Sequence, residues 1–212
     1  MTLTLDTHSN TDSNALASAT AAGEPSDPTA RLMRVAAVVG PLLLAAASVA
    51  WLNGDDTAEL RGILTFWAFP FMALAAYGVA SRLQGRSPAG RAVVTALVTI
   101  GACAGAGFAT EINMVDYFGI ERLMEQDTPS AILALGMPGL CFPLSLVALG
   151  LLSFSYRTLP RAQALLLAAG GVLFPLSRIP EAAGLAVVAD LLLLAAFAPV
   201  AFPARRGSTA AA

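Results

Sequence analysis

Residues 182–204 read AAGLAVVADLLLLAAFAPVAFPA, 23 positions in which the only polar side chain is the carboxyl of Asp190. A helix needs about 20 apolar residues to cross a bilayer, so this stretch reads as a transmembrane helix with an acid inside it. Working outward, the same pattern recurs along the chain. Residues 35–54, VAAVVGPLLLAAASVAWLNG, carry no charge over 20 positions. The charge-free runs 62–81, 92–110 and 128–156 span 20, 19 and 29 residues, and 162–177 spans 16. An all-α integral membrane protein follows, a bundle of six transmembrane helices. The spans are placed at roughly 33–53, 61–81, 91–111, within 130–153, 161–178 and 181–202.

Composition agrees. Of the 212 residues 57% are hydrophobic and 12% charged, against about a quarter charged in soluble domains. Residues 31–204 form the expected membrane domain. Residues 1–30, rich in Thr, Ser, Asn, Asp and Ala, cannot bury enough surface to offset their ordering entropy and read as a disordered N-terminal tail. They lack the basic start and apolar core of a cleavable signal peptide. Residues 205–212 are a short C-terminal tail.

All twelve basic residues are arginine, and they partition by side. Cytoplasmic loops carry excess Lys and Arg. Arg31, Arg34, Arg82, Arg86, Arg91, Arg157, Arg161, Arg205 and Arg206 fall on one side of a six-span map. Arg61, Arg122 and Arg178 fall on the other, with Asp55, Asp56, Glu59, Glu111, Asp116, Glu121, Glu125, Asp127 and Glu181. Six spans with both termini cytoplasmic satisfy every loop, which places the chain in the inner (cytoplasmic) membrane of a bacterial-type cell. Abundant Ala, Leu and Arg without Lys is a compositional association with GC-rich genomes.

Asp190 is the foremost candidate for function. A charge near mid-membrane costs at least about 2.5–3.5 kcal/mol on insertion scales. The carboxyl is therefore expected to be protonated and hydrogen-bonded across the bundle, to a hydroxyl such as Thr95 or Thr99 or to a carbonyl freed by a proline. A proton relay or ligand contact is the functional alternative. Glu111, Asn113 and Asp116 cluster where the third helix leaves the membrane. They read as solvated charges or, with Thr110, as a cation site or the closure of an outer vestibule, joined there by Arg178 and Glu181, which are themselves spaced for a local ion pair. The loop 111–129 has an amphipathic pattern from Phe118 to Glu125. Three readings stay open for it: a helix on the membrane surface, a cap on the bundle mouth and, more sharply, a lid over a ligand site.

Gly101 and Gly105 share one face of the third helix, for close helix packing in one protomer or at a dimer contact. Prolines 70, 138, 143 and 175 lie within spans, three of them (Pro70, Pro143, Pro175) in Phe-Pro pairs, and each breaks a helical hydrogen bond. Pro138 and Pro143, flanked by Gly136 and Gly139, make the fourth span the most irregular, and interrupted helices often line transport sites.

The remaining chemistry is sparse. The single histidine, His8, lies in the N-terminal tail, so no in-membrane histidine serves haem, copper or zinc, and no cofactor or metal is expected. Cys103 and Cys141 read as small packing residues. No basic cluster is large enough for nucleic acid. The partners expected are the lipid bilayer and either a second copy or another membrane protein. The function expected is a non-enzymatic membrane component, with a small-solute or proton-coupled transporter centred on Asp190 and the broken fourth helix as the alternative, and an intramembrane enzyme of carboxylate chemistry as a third reading.

Overall fold

The computed structural model describes residues 27–54, 57–119 and 129–202. Two compact units are distinguished, Met1–Arg31 and Leu32–Ala212. Of the first, residues 27–31 alone are described, and they form the opening of a helix. Most of both expected tails, residues 1–26 and 203–212, lies outside the described residues, as do 55–56 and the loop residues 120–128.

The described residues form six helices. α1 is Pro28–Leu52 and α2 is Ala58–Ala80, extended by a 3-10 turn at Ser81–Leu83. α3 is Pro88–Phe118. α4 is built of three consecutive segments, a turn at Pro129–Ala131, a π-helical stretch at Ile132–Gly136 and an α-helix at Met137–Tyr156. α5 is Arg161–Arg178 and α6 is Ala183–Ala201. α2 packs on α3, α3 on α4, α4 on α5 and α5 on α6. α1 closes the ring. Its Gly40 lies so near α2 that a Cβ there would meet the Met72 nitrogen at 2.8 Å, and its Ser48 is hydrogen-bonded to α6.

Among the described residues five helices, α1, α2 with its 3-10 turn, α3, the α-helical part of α4, and α6, are long and apolar enough to cross a membrane. α5 is the exception to the six expected. It starts and ends on arginine and carries Gln163, which shortens its apolar stretch. The outward faces of all six helices are nonetheless oily. Leu42, Trp67, Ile100, Leu144, Leu165 and Leu191, one from each helix, are all exposed. A helix apolar on every side belongs in lipid or in a large core, and the chain is a helical, largely membrane-spanning protein.

Two helix boundaries differ from the expected ones for local reasons. α1 starts at Pro28, not near 33. Asp27 accepts the Thr29 amide at 3.0 Å, and proline at the first helical position loses no bond. Residues 28–30, expected in the tail, are therefore helical. α3 runs on to Phe118 and stops at Gly119, whose φ of 61° supplies the left-handed cap. At 1.5 Å per residue a helix of 31 residues measures about 46 Å. That exceeds the bilayer's hydrocarbon thickness of about 30 Å. Glu111, Asn113 and Asp116 thus sit on a helix that outruns the apolar run, not in a loop. The surface-helix, cap and lid readings of 118–125 fall, beyond Gly119, outside the described residues.

The core is small side chains around a few large ones. Ala36, Ala37, Ala75, Ala76, Ala186 and Ala189 are buried, with Phe142, Phe197, Leu44, Met72 and Leu146 among the largest buried groups. Gly101 and Gly105 are both buried within this single chain. A Cβ at Gly101 would overlap the Phe142 backbone, and one at Gly105 would overlap the Phe69 ring.

Candidate functional site

The site starts from the hairpin of α5 and α6. Ala182 N–H returns to the Ser177 carbonyl at 2.8 Å, and Glu181 takes a left-handed φ of 54° to make the turn. This tight reversal sets α6 antiparallel to α5. Asp190 then lies seven residues past Ala183, about 10 Å along the axis. Arg178, the last residue of α5, turns back into the bundle to meet it. Its Nη2 donates to both Asp190 oxygens, at 3.0 and 3.1 Å. Ser48 of α1 donates from Oγ to Oδ2 of the same carboxylate at 2.6 Å. Asp190 is 0% exposed, whereas the Arg178 side chain keeps 23% of its surface open.

The expected partners are therefore corrected. Thr99 bonds to the Tyr77 hydroxyl at 2.7 Å and to the Thr95 carbonyl at 2.8 Å, and an arginine takes their place at Asp190. A guanidinium within reach stabilises the ionised carboxylate far better than a threonine hydroxyl does. The hydroxyl bonded across the bundle is that of Ser48 instead of a threonine, and Arg178 adds an ion-pairing contact.

Arg178 is held from a second direction. Its Cζ stands 3.7 Å from the centroid of the Phe174 ring, and Nη1 donates to Ser177 Oγ at 3.2 Å. Phe174 belongs to an aromatic trio with Phe69 and Phe142, with centroids 5.1 to 6.4 Å apart and edge-to-face angles of 62° to 77°. Each member is the phenylalanine of a Phe-Pro pair, from α2, α4 and α5. Two of the pairs extend to the same tetrapeptide, Phe-Pro-Leu-Ser, at 142–145 and 174–177. In both, the serine Oγ donates to the phenylalanine carbonyl, at 2.6 Å for Ser145 and 2.9 Å for Ser177.

Two adjoining cavities flank the ion pair. The larger, of about 330 Å³, is walled by Phe69, Phe108 and Phe174, by Gly105, Gly136 and Gly139, and by Pro143 and Pro175, with Arg178 and Glu181 as its charged groups. The smaller, of about 60 Å³, reaches Ser48, Trp51, Arg61 and Thr65 and shares Arg178, Glu181, Phe69 and Phe108 with the first. The Arg61 guanidinium lies 4.4 Å from the Trp51 ring. Pro143 leaves the carbonyl of Gly139, a wall residue, without its helical donor. The π-helical stretch before Pro138 widens the backbone where Gly136 opens the wall.

Of the residues singled out in the sequence, Arg178 and Glu181 line both cavities, and Asp190 sits behind Arg178, sealed from them. Pro143 and Pro175 line the larger one. Pro138 follows the π-helical stretch, and Pro70 faces outward. Glu111 and Asn113 are half-buried near the end of α3, and Asp116 is exposed. None of these three lines either cavity, although their neighbour Ile112 lines the smaller. Asn113 packs on Gly62 of α2, with its Oδ1 buried and unpartnered among the described residues. Tyr117, one residue beyond Asp116, donates to Glu59 and ties the end of α3 to the start of α2.

Sequence reasoning missed Ser48, Arg61, Trp51 and the aromatic trio. The trio left a signal, the repeated Phe-Pro pair, which was read for its proline alone. Ser48 left none, being one hydroxyl 142 residues from its partner. Among the described residues no three His, Cys, Asp or Glu side chains gather as metal ligands, and Cys103 and Cys141 are free thiols. No family model, curated protein or solved structure matches this chain.

Proposed function

We propose that the chain is a six-span protein of a bacterial-type cytoplasmic membrane, with both termini cytoplasmic, that binds a small solute and performs no covalent chemistry. Its chamber is the cavity beside Arg178, opening toward the side opposite the arginine-rich loops. The observation that carries this reading is the arginine itself. It is a partly open guanidinium fixed by Asp190 and Phe174 at the wall of a largely apolar cavity of about 330 Å³. Ligand sites are concave and mostly apolar, with a few placed polar groups. The glycine- and proline-rich stretch of α4 in the wall supports passage of the solute as well as binding.

A second reading, a component that only packs against another membrane protein, draws on the complete enclosure of Asp190, whose two oxygens are both occupied. A cavity-filling variant separates the two. A Cβ at Gly139 meets nothing within 4 Å and Gly139 lines the larger cavity, so Gly139→Leu is expected to add a side chain there at little cost to the fold. Osmotic swelling of proteoliposomes is measured with small neutral, cationic and anionic solutes. The wild type is expected to admit one class faster than empty liposomes do, with Gly139→Leu falling back to the empty rate. A wild type that matches empty liposomes for every class would leave the component reading standing.

A further inference from the structure

Resting on the solute-binding reading, we propose that the ligand is a small organic acid with an apolar body, and that it binds together with one proton, which Asp190 receives. The cavity has three phenylalanine rings and small glycine walls for the apolar part, and its half-buried charged group with donors to spare is Arg178. Nη2 is committed to Asp190 and one Nη1 hydrogen to Ser177. A guanidinium carries five N–H donors. Its free edge, on the 23% of the side chain left open, suits a carboxylate better than an amine or an alcohol.

Charge then decides what accompanies the acid. Arg178 and Asp190 sum to zero. A ligand carboxylate added beside them leaves one net negative charge in a desolvated site, which is costly unless neutralised. The groups that face Asp190 are few. α5 contributes Arg178 and α1 the hydroxyl of Ser48, both in contact with Asp190, while the other charged groups nearby, Glu181 and Arg61, line the smaller cavity with Arg178. Arginine keeps its proton, so the proton goes to a carboxylate. Asp190 is the one in direct contact with Arg178. Ser48 suits the exchange. Its hydroxyl now donates to Oδ2 at 2.6 Å, and by rotating it accepts the O–H of a protonated Asp190. The smaller cavity reaches Ser48 and Arg178, the two groups that contact Asp190, while Asp190 itself stays sealed behind them.

The test is calorimetry on the full chain in nanodiscs, with empty nanodiscs as reference. Phenylpropanoate, phenylpropanol and phenylpropylamine are the probes, each run in two buffers of different ionisation enthalpy so that protons are counted. Wild type is expected to bind phenylpropanoate with uptake of about one proton, and the alcohol and amine about tenfold or more weakly. Asp190→Asn is expected to bind the acid with no proton uptake. The double variant Arg178→Gln/Asp190→Asn shortens the side chain at 178 but removes both charges together, so neither is left buried without its partner. It is expected to lose acid binding while eluting as a folded monodisperse species.

Acid binding intact in the double variant, no proton uptake by wild type, or uptake surviving in Asp190→Asn would each overturn the inference. Binding of the alcohol alone, abolished by Gly139→Leu, would overturn the acid and keep the cavity. Binding of none of the probes, with no solute passing in the swelling assay, would remove both.

Discussion

Arg178 and Asp190 are each a liability without the other. A buried charge whose partner is removed costs about 3–5 kcal/mol, whereas replacing both with neutral groups of similar shape often costs little. Unfolding of detergent-solubilised wild type, Arg178→Gln, Asp190→Asn and the double variant forms a cycle. Each single change is expected to cost about 3–5 kcal/mol, less where water reaches the 23% of Arg178 that is exposed. The double variant is expected to sit closer to wild type than the sum of the two. Strict additivity would mean that the two side chains do not interact in the membrane. Half of this site was legible in the sequence. An acid inside an oily span demands a partner, and Asp190 announced itself. The partner did not. Arg178 lies at a helix end, where arginine is ordinary, and only the tight turn at 179–182 brings it within reach. Ser48 and Asp190 belong to opposite ends of the chain, and no periodicity encodes which faces of α1 and α6 meet.

At the scale of the helix, glycine has two opposite uses here. On α3, Gly101 lets the Phe142 backbone of α4 approach, and any side chain there collides with main chain that cannot step aside. On α4, Gly139 faces open space. Gly101→Leu is expected to destabilise the bundle by about 1–3 kcal/mol or more, the cost of overpacking. Gly139→Leu is expected to be neutral or to stabilise by up to about 1 kcal/mol through helix propensity. Thermal unfolding of the two variants checks the contrast, and equal losses would put the cavity beside α4 in doubt. The apolar part of each helix was legible because hydropathy reports it directly. The ends of α1 and α3 were not. Both helices continue into polar sequence, held at one end by the Asp27 side chain and at the other by the left-handed Gly119. Hydropathy records where oil stops, not where helical hydrogen bonds stop. The prolines of α4 were legible as breaks, but the π-helical stretch ahead of them was not, since no residue type requires that winding.

At the scale of the whole molecule, α5 is the element on which the map turns. Its charge-free run of 16 residues spans about 24 Å, a little short of the hydrocarbon core. Arg161 and Arg178 bracket it. Arg161 is placed to snorkel toward the headgroups, while Arg178 is drawn inward to Asp190. With Arg178 paired inside the bundle, the charge at the end of α5 need not reach water for the helix to cross. The exposed Leu165, Val172 and Leu176 along it ask for lipid as the other helices do. If α5 crosses, the turn at 179–182 and the cavity face the side opposite the arginine-rich loops. The most direct measurement is labelling with a membrane-impermeant maleimide in intact spheroplasts, in a Cys103→Ser/Cys141→Ser background carrying either Ala162→Cys or Pro180→Cys, both exposed positions. Pro180→Cys is expected to label from outside, and Ala162→Cys only after the membrane is permeabilised. Both labelling from one side would contradict the six-span ring and the outward-facing site with it.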